Sequence, residues 1–360
     1  MANPLRHVTA LAEDTGPRGA CSAGEARAAG YIAEAARQYT HQVWLEPFRS
    51  FTSPSFPWLF IVSLLLVSGL VVWISPRLAA ALAAVGAVCF VGQTLGWTEA
   101  GWLFPRRQSR NVVAVVPAGE SIRRRVVILA HYDSPRAALP MIGSGPGQLV
   151  LSAAALALPV LTYLSAYAPH LACLVTVPTA VMAVTLVRLV RHEVSAPFVS
   201  GEAGGAAAVL TAGAQLARAP LQYTEVWTVF TGCREPGMVG LHALLGRHGH
   251  VLRDADFVVL DQVGPGALAY TIAEGTIPFR TTTPELQALL KEAGVQGKCL
   301  RRRVTQAGLA LDQGYRAIAM LTPEPGPVDR TGIERAAGVV RTLAEALDRK
   351  ACAEVEQGEA

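Results

Sequence analysis

Arg125 to Ser134, RVVILAHYDS, sets five apolar residues, Val126 to Ala130, directly before the polar cluster His131, Tyr132 and Asp133. The run is too short to span a membrane and is bounded like a buried strand. Open α/β sheets present their functional side chains at the carboxyl ends of such strands. His-x-Asp there sets an imidazole beside a carboxylate that can fix its tautomer, as a metal-ligating His requires. A lone His-x-Asp is equally the end of a strand whose His is merely hydrogen-bonded, so the other strand ends decide between the two readings.

Upstream, Asn111 to Pro117 (NVVAVVP) is a second β-rich run, joined to the first by the polar turn Ala118 to Arg124, and the two suit neighbouring strands. Glu25 to Tyr39 reads as an amphipathic helix with Ala29, Ile32, Ala33 and Ala36 on one face, and Gln42 to Phe51 as a strand. Downstream, Gly204 to Arg218 predicts a helix. Glu225 to Gly232 predicts a strand that runs into Cys233, Arg234, Glu235, Pro236 and Gly237. Leu241 to Leu245 begins a helix, Ala255 to Leu260 is a strand ending at Asp261, and Pro284 to Ala293 is a helix. A short strand, Ala317 to Leu321, and an amphipathic helix, Gly332 to Arg349, follow. Strands alternating with helices predict an α/β fold whose mostly parallel sheet is covered on both faces.

The chain has 360 residues, 51% of them apolar and only 16% charged, too greasy for an ordinary soluble protein of this size. The excess lies in four uncharged or nearly uncharged runs: Phe56 to Ser75, Leu78 to Trp97, Gln148 to Ala168, and Leu171 to Val190. Each matches the ~20 residues that cross a hydrocarbon core. Pro76-Arg77 and Pro169-His170 turn them into two hairpins, 56–97 and 148–190. Two buried hairpins in a large soluble core are the competing reading, and four such runs are hard to bury otherwise. Residues 1–55, 98–147 and 191–360 then form one α/β domain, since each hairpin returns the chain to the same face. Arg49, Arg106, Arg107, Arg110, Arg136, Arg188 and Arg191 lie on that side and only Arg77 on the other, so the positive-inside rule makes the domain cytoplasmic and the protein multi-pass. No secretory leader is expected, because the first 55 residues carry charges throughout. The net charge of +4 comes without a basic-aromatic stripe, which argues against nucleic acid. Cysteines 21, 89, 173, 233, 299 and 352 show no metal-site or redox spacing and read as free thiols.

Three strands end in metal-capable residues: His131 with Asp133, Glu235, and Asp261. Singly, Glu235 is as well a solvated turn residue and Asp261 a strand-end cap; together they suggest one site on the carboxyl edge of a sheet. These residues resemble the co-catalytic di-zinc aminopeptidases, whose fold is shared by glutamate carboxypeptidase and glutaminyl cyclase. Ala130 to Ser134 looks like that family's first metal motif, and Gly16-Pro17-Arg18-Gly19 before a helix with Tyr31-Ile32 resembles its start. FTGCREPGMVG (Phe230 to Gly240) is similar to its glutamate motif and VLDQVG (Val259 to Gly264) to its aspartate motif. The resemblance implies a three-layer α/β fold of zinc-aminopeptidase type, here with four inserted transmembrane helices. It implies His131, Glu235 and Asp261 as metal ligands and Asp133 as orienting partner of the His.

Three positions depart from the family pattern. Gly201 takes the place of the bridging Asp, with Glu202 adjacent; Arg234 takes that of the general base; and no His follows His250, where only Glu324 and Asp329 are on offer. An Arg cannot act as a base. It would repel a divalent ion and pair with the carboxylates left behind. The expectation is therefore a cofactor-free, hydrolytically degenerate domain that acts as a binding or scaffolding module, its partners the lipid bilayer and a peptide end or small amine held in the old cleft. The alternative is a membrane-anchored metallo-aminopeptidase with a single zinc on His131, Asp261 and Glu202. The His242, His248 and His250 group reads as solvated, and Arg301 to Arg303 as a solvated face or a contact for anionic lipid.

Overall fold

The structure, a computed structural model, describes residues 3–95, 105–135, 146–195, 203–275, 279–301, 303–323 and 328–358. The chain falls into two compact units, one of residues 1–52, 107–135 and 198–360 and one of residues 53–106 and 136–197.

The first unit is built on a nine-stranded sheet. Its strands are β1 (Gln42–Ser50), β2 (Arg107–Val116), β3 (Arg124–His131), β4 (Thr224–Thr231), β5 (Asp256–Leu260), β6 (Ala269–Gly275), β7 (Phe279–Thr281), β8 (Gln296–Arg301) and β9 (Arg316–Leu321). They run in the order β1-β2-β4-β3-β5-β9-β6-β7, with β8 also paired to β6. Only β4-β3-β5-β9 is a continuous parallel block; β1-β2, β2-β4, β9-β6 and β6-β7 are antiparallel. The sheet is thus mixed, which corrects the mostly parallel expectation. Apolar runs report burial and not direction, so the pattern alone does not separate parallel from antiparallel pairing.

The parallel block carries the core because its strands are apolar on both faces. Val126, Ile128 and Ala130 face one cluster and Val127 and Leu129 the other; on β5, Val258 and Leu260 oppose Phe257 and Val259 in the same way. Helices α2 (Ala23–Arg37), α7 (Gly204–Arg218), α9 (Pro284–Glu292) and α11 (Arg330–Gly358) cover the first face. Helices α8 (Val239–His248) and α10 (Gln306–Asp312) cover the second, making three layers. β4 lies on one side of β3 and β5 on the other, so the crossover reverses direction at β3 and opens a crevice over the strand ends. α7 closes on that crevice because it opens on two glycines: a Cβ on Gly204 would lie 1.9 Å from the Val263 carbonyl oxygen, and one on Gly205 2.6 Å from that of Leu260.

The short helix α1 (Leu5–Val8) and the wide turn after it pack His7 against α2, where Nδ1 lies 2.8 Å from the Tyr31 hydroxyl. Burial, followed by the neighbouring Arg6 charge, lowers the imidazole from 6.5 to about 4. The folded state therefore holds His7 neutral while the unfolded chain takes up a proton first. Stability is complete above pH 6.5 and falls as the pH drops towards 4, by up to about 3 kcal/mol at 1.36 kcal/mol per unit. Denaturation midpoints measured across that range should slope for the wild type and flatten for His7→Phe.

The second unit packs α3 (Ser55–Val71) on α4 (Pro76–Leu95), α4 on α5 (Pro146–Ser165), and α5 and α3 on α6 (Thr176–Ser195). Ile61, Leu65, Ala83, Phe90, Leu158 and Met182 fill the interior, and Gly69 and Gly86 let Thr179 and Leu65 approach closely. Outward, Leu70, Trp73, Val88, Leu149, Val177 and Tyr167 are exposed, an apolar exterior of the kind that marks an interaction or membrane surface. Among the described residues, three helical segments are long and apolar enough to cross a membrane: Pro76–Thr94, Gly147–Ser165 and Pro169–His192. The fourth expected span is shorter than read from the sequence. The apolar run continues to Ser75, but the helix stops at Val71 after 17 residues because the chain must turn into Pro76, and residues before proline avoid the helical region.

Candidate functional site

The parallel register aligns His131 with Thr231 and Leu129 with Val259, which brings the residues after β3, β4 and β5 to one edge of the sheet. His131 (end of β3) and Asp261 (just after β5) are buried there, with Nε2 and Oδ1 3.7 Å apart. Asp133 holds the ring from behind: Nδ1 lies 3.2 Å from its backbone oxygen and 3.5 Å from its carboxylate. The other carboxylate oxygen of Asp133 accepts the Glu235 backbone N–H at 3.1 Å. Of the expected ligand positions, His131 and Asp261 thus approach one another directly, and Glu235 joins them through Asp133 and Arg234. Glu202 and Gly201 lie outside the described residues, as does Glu324. Asp329 accepts the Gly332 backbone N–H at 2.9 Å and so caps α11.

A guanidinium occupies the middle of this group. Arg234 donates Nη1 to Glu235 Oε1 at 2.6 Å and Nη2 to Asp261 Oδ1 at 3.2 Å. Its third nitrogen, Nε, is buried without a partner among the described residues. Arg303, from the loop before α10, binds the second oxygen of Asp261 and also donates to Gln262 Oε1 at 3.1 Å. Sequence reasoning read Arg303 as surface. It comes from a run of three arginines whose spacing says nothing of a partner more than forty residues back, and only the fold reveals the contact.

Charge follows geometry. Burial alone would raise the Asp261 carboxyl, but Arg234, then Arg303 and His131, hold it below the usual carboxylate range. For His131, burial opposes protonation, yet the bond to Asp133 and the Asp261 charge outweigh burial and the Arg234 repulsion, and the imidazole titrates above its ordinary value. Arg234 is held still more firmly protonated: burial works against its charge, and Asp261 and Glu235 overcome it. The donor set as placed does not fit a divalent ion. Both oxygens of Asp261 and one of Glu235 are bonded to guanidinium, and an added cation would stand within a few ångströms of a fixed positive charge.

Elsewhere, His248 Nε2 lies 2.6 Å from Glu46 Oε1 and stacks edge-on to Trp227, and His242 Nδ1 lies 3.1 Å from Gln313. Neither belongs to a described site.

No protein-family model matches the sequence, and no curated protein matches it. Solved structures do match the fold. A zinc aminopeptidase from Bacillus subtilis superposes with a TM-score of 0.53 at 12% identity, covering 96% of this chain and 94% of that one. An aminopeptidase from Aneurinibacillus sp. strain AM-1 gives 0.55 at 13% identity, covering 95% and 92%. A glutaminyl cyclase from an Acidobacteriales bacterium gives 0.53 at 13% identity, covering 97% and 93%. The chain has the fold of zinc aminopeptidases and glutaminyl cyclases.

Proposed function

We propose that this is a multi-pass membrane protein whose α/β unit, on the cytoplasmic side, keeps the aminopeptidase fold without its hydrolytic chemistry and acts as a binding or scaffolding module. The observation that carries this reading is the Arg234 guanidinium bonded to both Glu235 and Asp261. Hydrolysis at two metals requires cations that lower the pKa of a water and a base that removes its proton. Here a permanent cation bridges two of the acidic positions, and the residue before Glu235 has no lone pair with which to accept a proton. Four apolar helices, three of them of spanning length, support the membrane reading, and the arginine asymmetry supports its orientation. In this reading 56–97 and 148–190 are transmembrane hairpins inserted into one domain, and the cleft over β3 holds a peptide end or a small amine.

The competing reading, a single zinc on His131, Asp261 and Glu202, is favoured by the 3.7 Å approach of His131 Nε2 to Asp261 Oδ1. Aminoacyl-nitroanilide hydrolysis by purified protein in detergent, with added zinc or cobalt, separates the two. The expected result is no turnover above the blank in either the wild type or His131→Ala. Metal-dependent turnover that disappears in His131→Ala would overturn the module reading.

A further inference from the structure

On the opposite side of the β4 turn from Glu235, three side chains from distant parts of the chain converge. Cys21 precedes α2, Glu25 lies in its first turn, and Cys233 follows β4; one ligand atom of each falls within 4.8 Å of the others. The two Sγ atoms are 3.6 Å apart, and Cys233 Sγ is 3.4 Å from Glu25 Oε1. A tetrahedral zinc with Zn–S of about 2.3 Å and Zn–O of about 2.1 Å sets S···S near ~3.8 Å and S···O near ~3.6 Å. Both observed separations match edges of that tetrahedron to within a few tenths of an ångström.

The surroundings are arranged for the same purpose. Glu25 Oε2 is spent on the Cys21 backbone N–H at 2.7 Å and the Ser109 hydroxyl at 2.8 Å. Among the described residues, Oε1 accepts the Cys233 N–H, at 2.9 Å, besides the Cys233 thiol, which leaves its second lone pair towards sulfur. A reciprocal helix cap explains the Oε2 contact, since Ser22 Oγ in turn accepts the Glu25 N–H at 3.1 Å. It does not explain why Oε1 reaches a cysteine 208 residues away. Cys21 and Cys233 also both hold left-handed backbone conformations, with φ of 59° and 50°, where glycine or asparagine is the ordinary choice. Thiols are thus kept at two positions whose backbone favours other residues. Gly232 is needed beside them: a Cβ there would meet Glu25 Oε1 and Ser109 Oγ at 2.8 Å and the Tyr132 hydroxyl at 2.9 Å. Cys21 Sγ also lies 3.6 Å from the Ser50 carbonyl oxygen and 3.7 Å from that of Arg107.

We infer that Cys21, Glu25 and Cys233 form a structural site for a thiophilic divalent cation such as zinc, separate from the His131, Glu235 and Asp261 cluster. On binding, the metal replaces the two thiol protons, which pass to solvent as both sulfurs become thiolates; nothing is oxidised or reduced. The site ties the segment before α2 to the turn after β4. It requires no catalytic metal and stands independently of the degenerate-site reading.

Cobalt distinguishes the two locations, because only this one offers sulfur. Full-length reduced protein titrated with cobalt should develop thiolate-to-cobalt charge-transfer absorption at one ion per chain. Added zinc should abolish it and protect Cys21 from alkylation. A variant with Cys299→Ser and Cys352→Ser removes other thiols of this unit as a source of the signal. Cys21→Gly and Cys233→Gly, which suit the left-handed backbone and so should fold, are expected to lose the band, whereas Asp261→Asn keeps it. Absence of the band in excess cobalt, its persistence in both Gly variants, or isolation of the protein with a Cys21–Cys233 disulfide that reduction converts to thiols with no affinity for zinc would overturn the site.

Discussion

Asp261→Ala is expected to destabilise the α/β unit by about 3–5 kcal/mol, the range for removing one partner of a buried ion pair and stranding the other. Arg234, whose side chain is only 15% exposed, loses its bond to Asp261 and keeps Glu235, itself 23% exposed. Arg303 is 35% exposed and recovers water, so its share of the loss is small. Hydrogen exchange of the β5 amides reads the loss without requiring the whole chain to unfold in one step. Removing both charges in Asp261→Asn with Arg234→Met should recover much of it, since no unpaired ion then remains. A clamp that replaces metal predicts this rescue. A zinc ligand predicts the reverse, because the double variant would still lack its carboxylate. Loss of under about 1 kcal/mol in Asp261→Ala would show that the pair is not what holds the strand ends together.

Arg18→Met should cost a comparable amount, about 3–5 kcal/mol, although the residue lies in a loop. Its side chain is fully buried and donates to three backbone oxygens: Tyr132 at 2.8 Å, Gly16 at 3.1 Å, and Leu11. A buried acceptor left without its donor costs roughly 1–3 kcal/mol, and more when the lost donor was charged. The main chain at Arg18 bonds Ser134 in both directions, N to Oγ at 2.9 Å and O from N at 3.0 Å, so the residue pins the N-terminal segment to the loop that carries His131 and Asp133. Arg18→Lys should rescue little, since an ammonium on a flexible stem cannot reproduce the planar fork. Protease sensitivity of residues 9–22 and exchange of the Tyr132 and Ser134 amides check both variants. Near-native protection in Arg18→Met would refute the pinning role.

The sequence disclosed those parts of the fold whose burial is complete. Val126 to Ala130, Val226 to Phe230 and Phe257 to Leu260 are apolar on both faces, so their runs betray central strands, and the polar residues that follow them betray the edge where the strands end. β8 was invisible for the opposite reason. Its sequence, QGKCLR, is mostly exposed, and its strand geometry comes from main-chain pairing with β6, which side-chain pattern does not report. β6 escaped because Ala269 to Gly275 combines buried Thr271 and Glu274 with exposed Ile272, inverting the usual alternation. In the site, Arg234 was legible because it departs from a pattern at a fixed spacing. Arg303, and the meeting of Cys21 with Cys233, depend on chain paths that no local spacing encodes. The cysteines are free thiols, as their spacing suggests, but that spacing does not show that Cys21 and Cys233 meet in space.

The strand order also has a temporal side. β3 is the middle of the parallel block, yet both of its neighbours, β4 and β5, come later in the chain. His131 waits for its register partner Thr231, and the hundred residues between them take roughly 5–20 s to synthesise at ~5–20 residues per second. Throughout that interval Val126 to Ala130 emerge with no strand beside them, a greasy segment with unpaired amides and carbonyls on both edges. Correct maturation therefore depends on keeping this segment from foreign partners until β4 has been made, and nascent chains stalled between residues 131 and 224 should be the most aggregation-prone of the series.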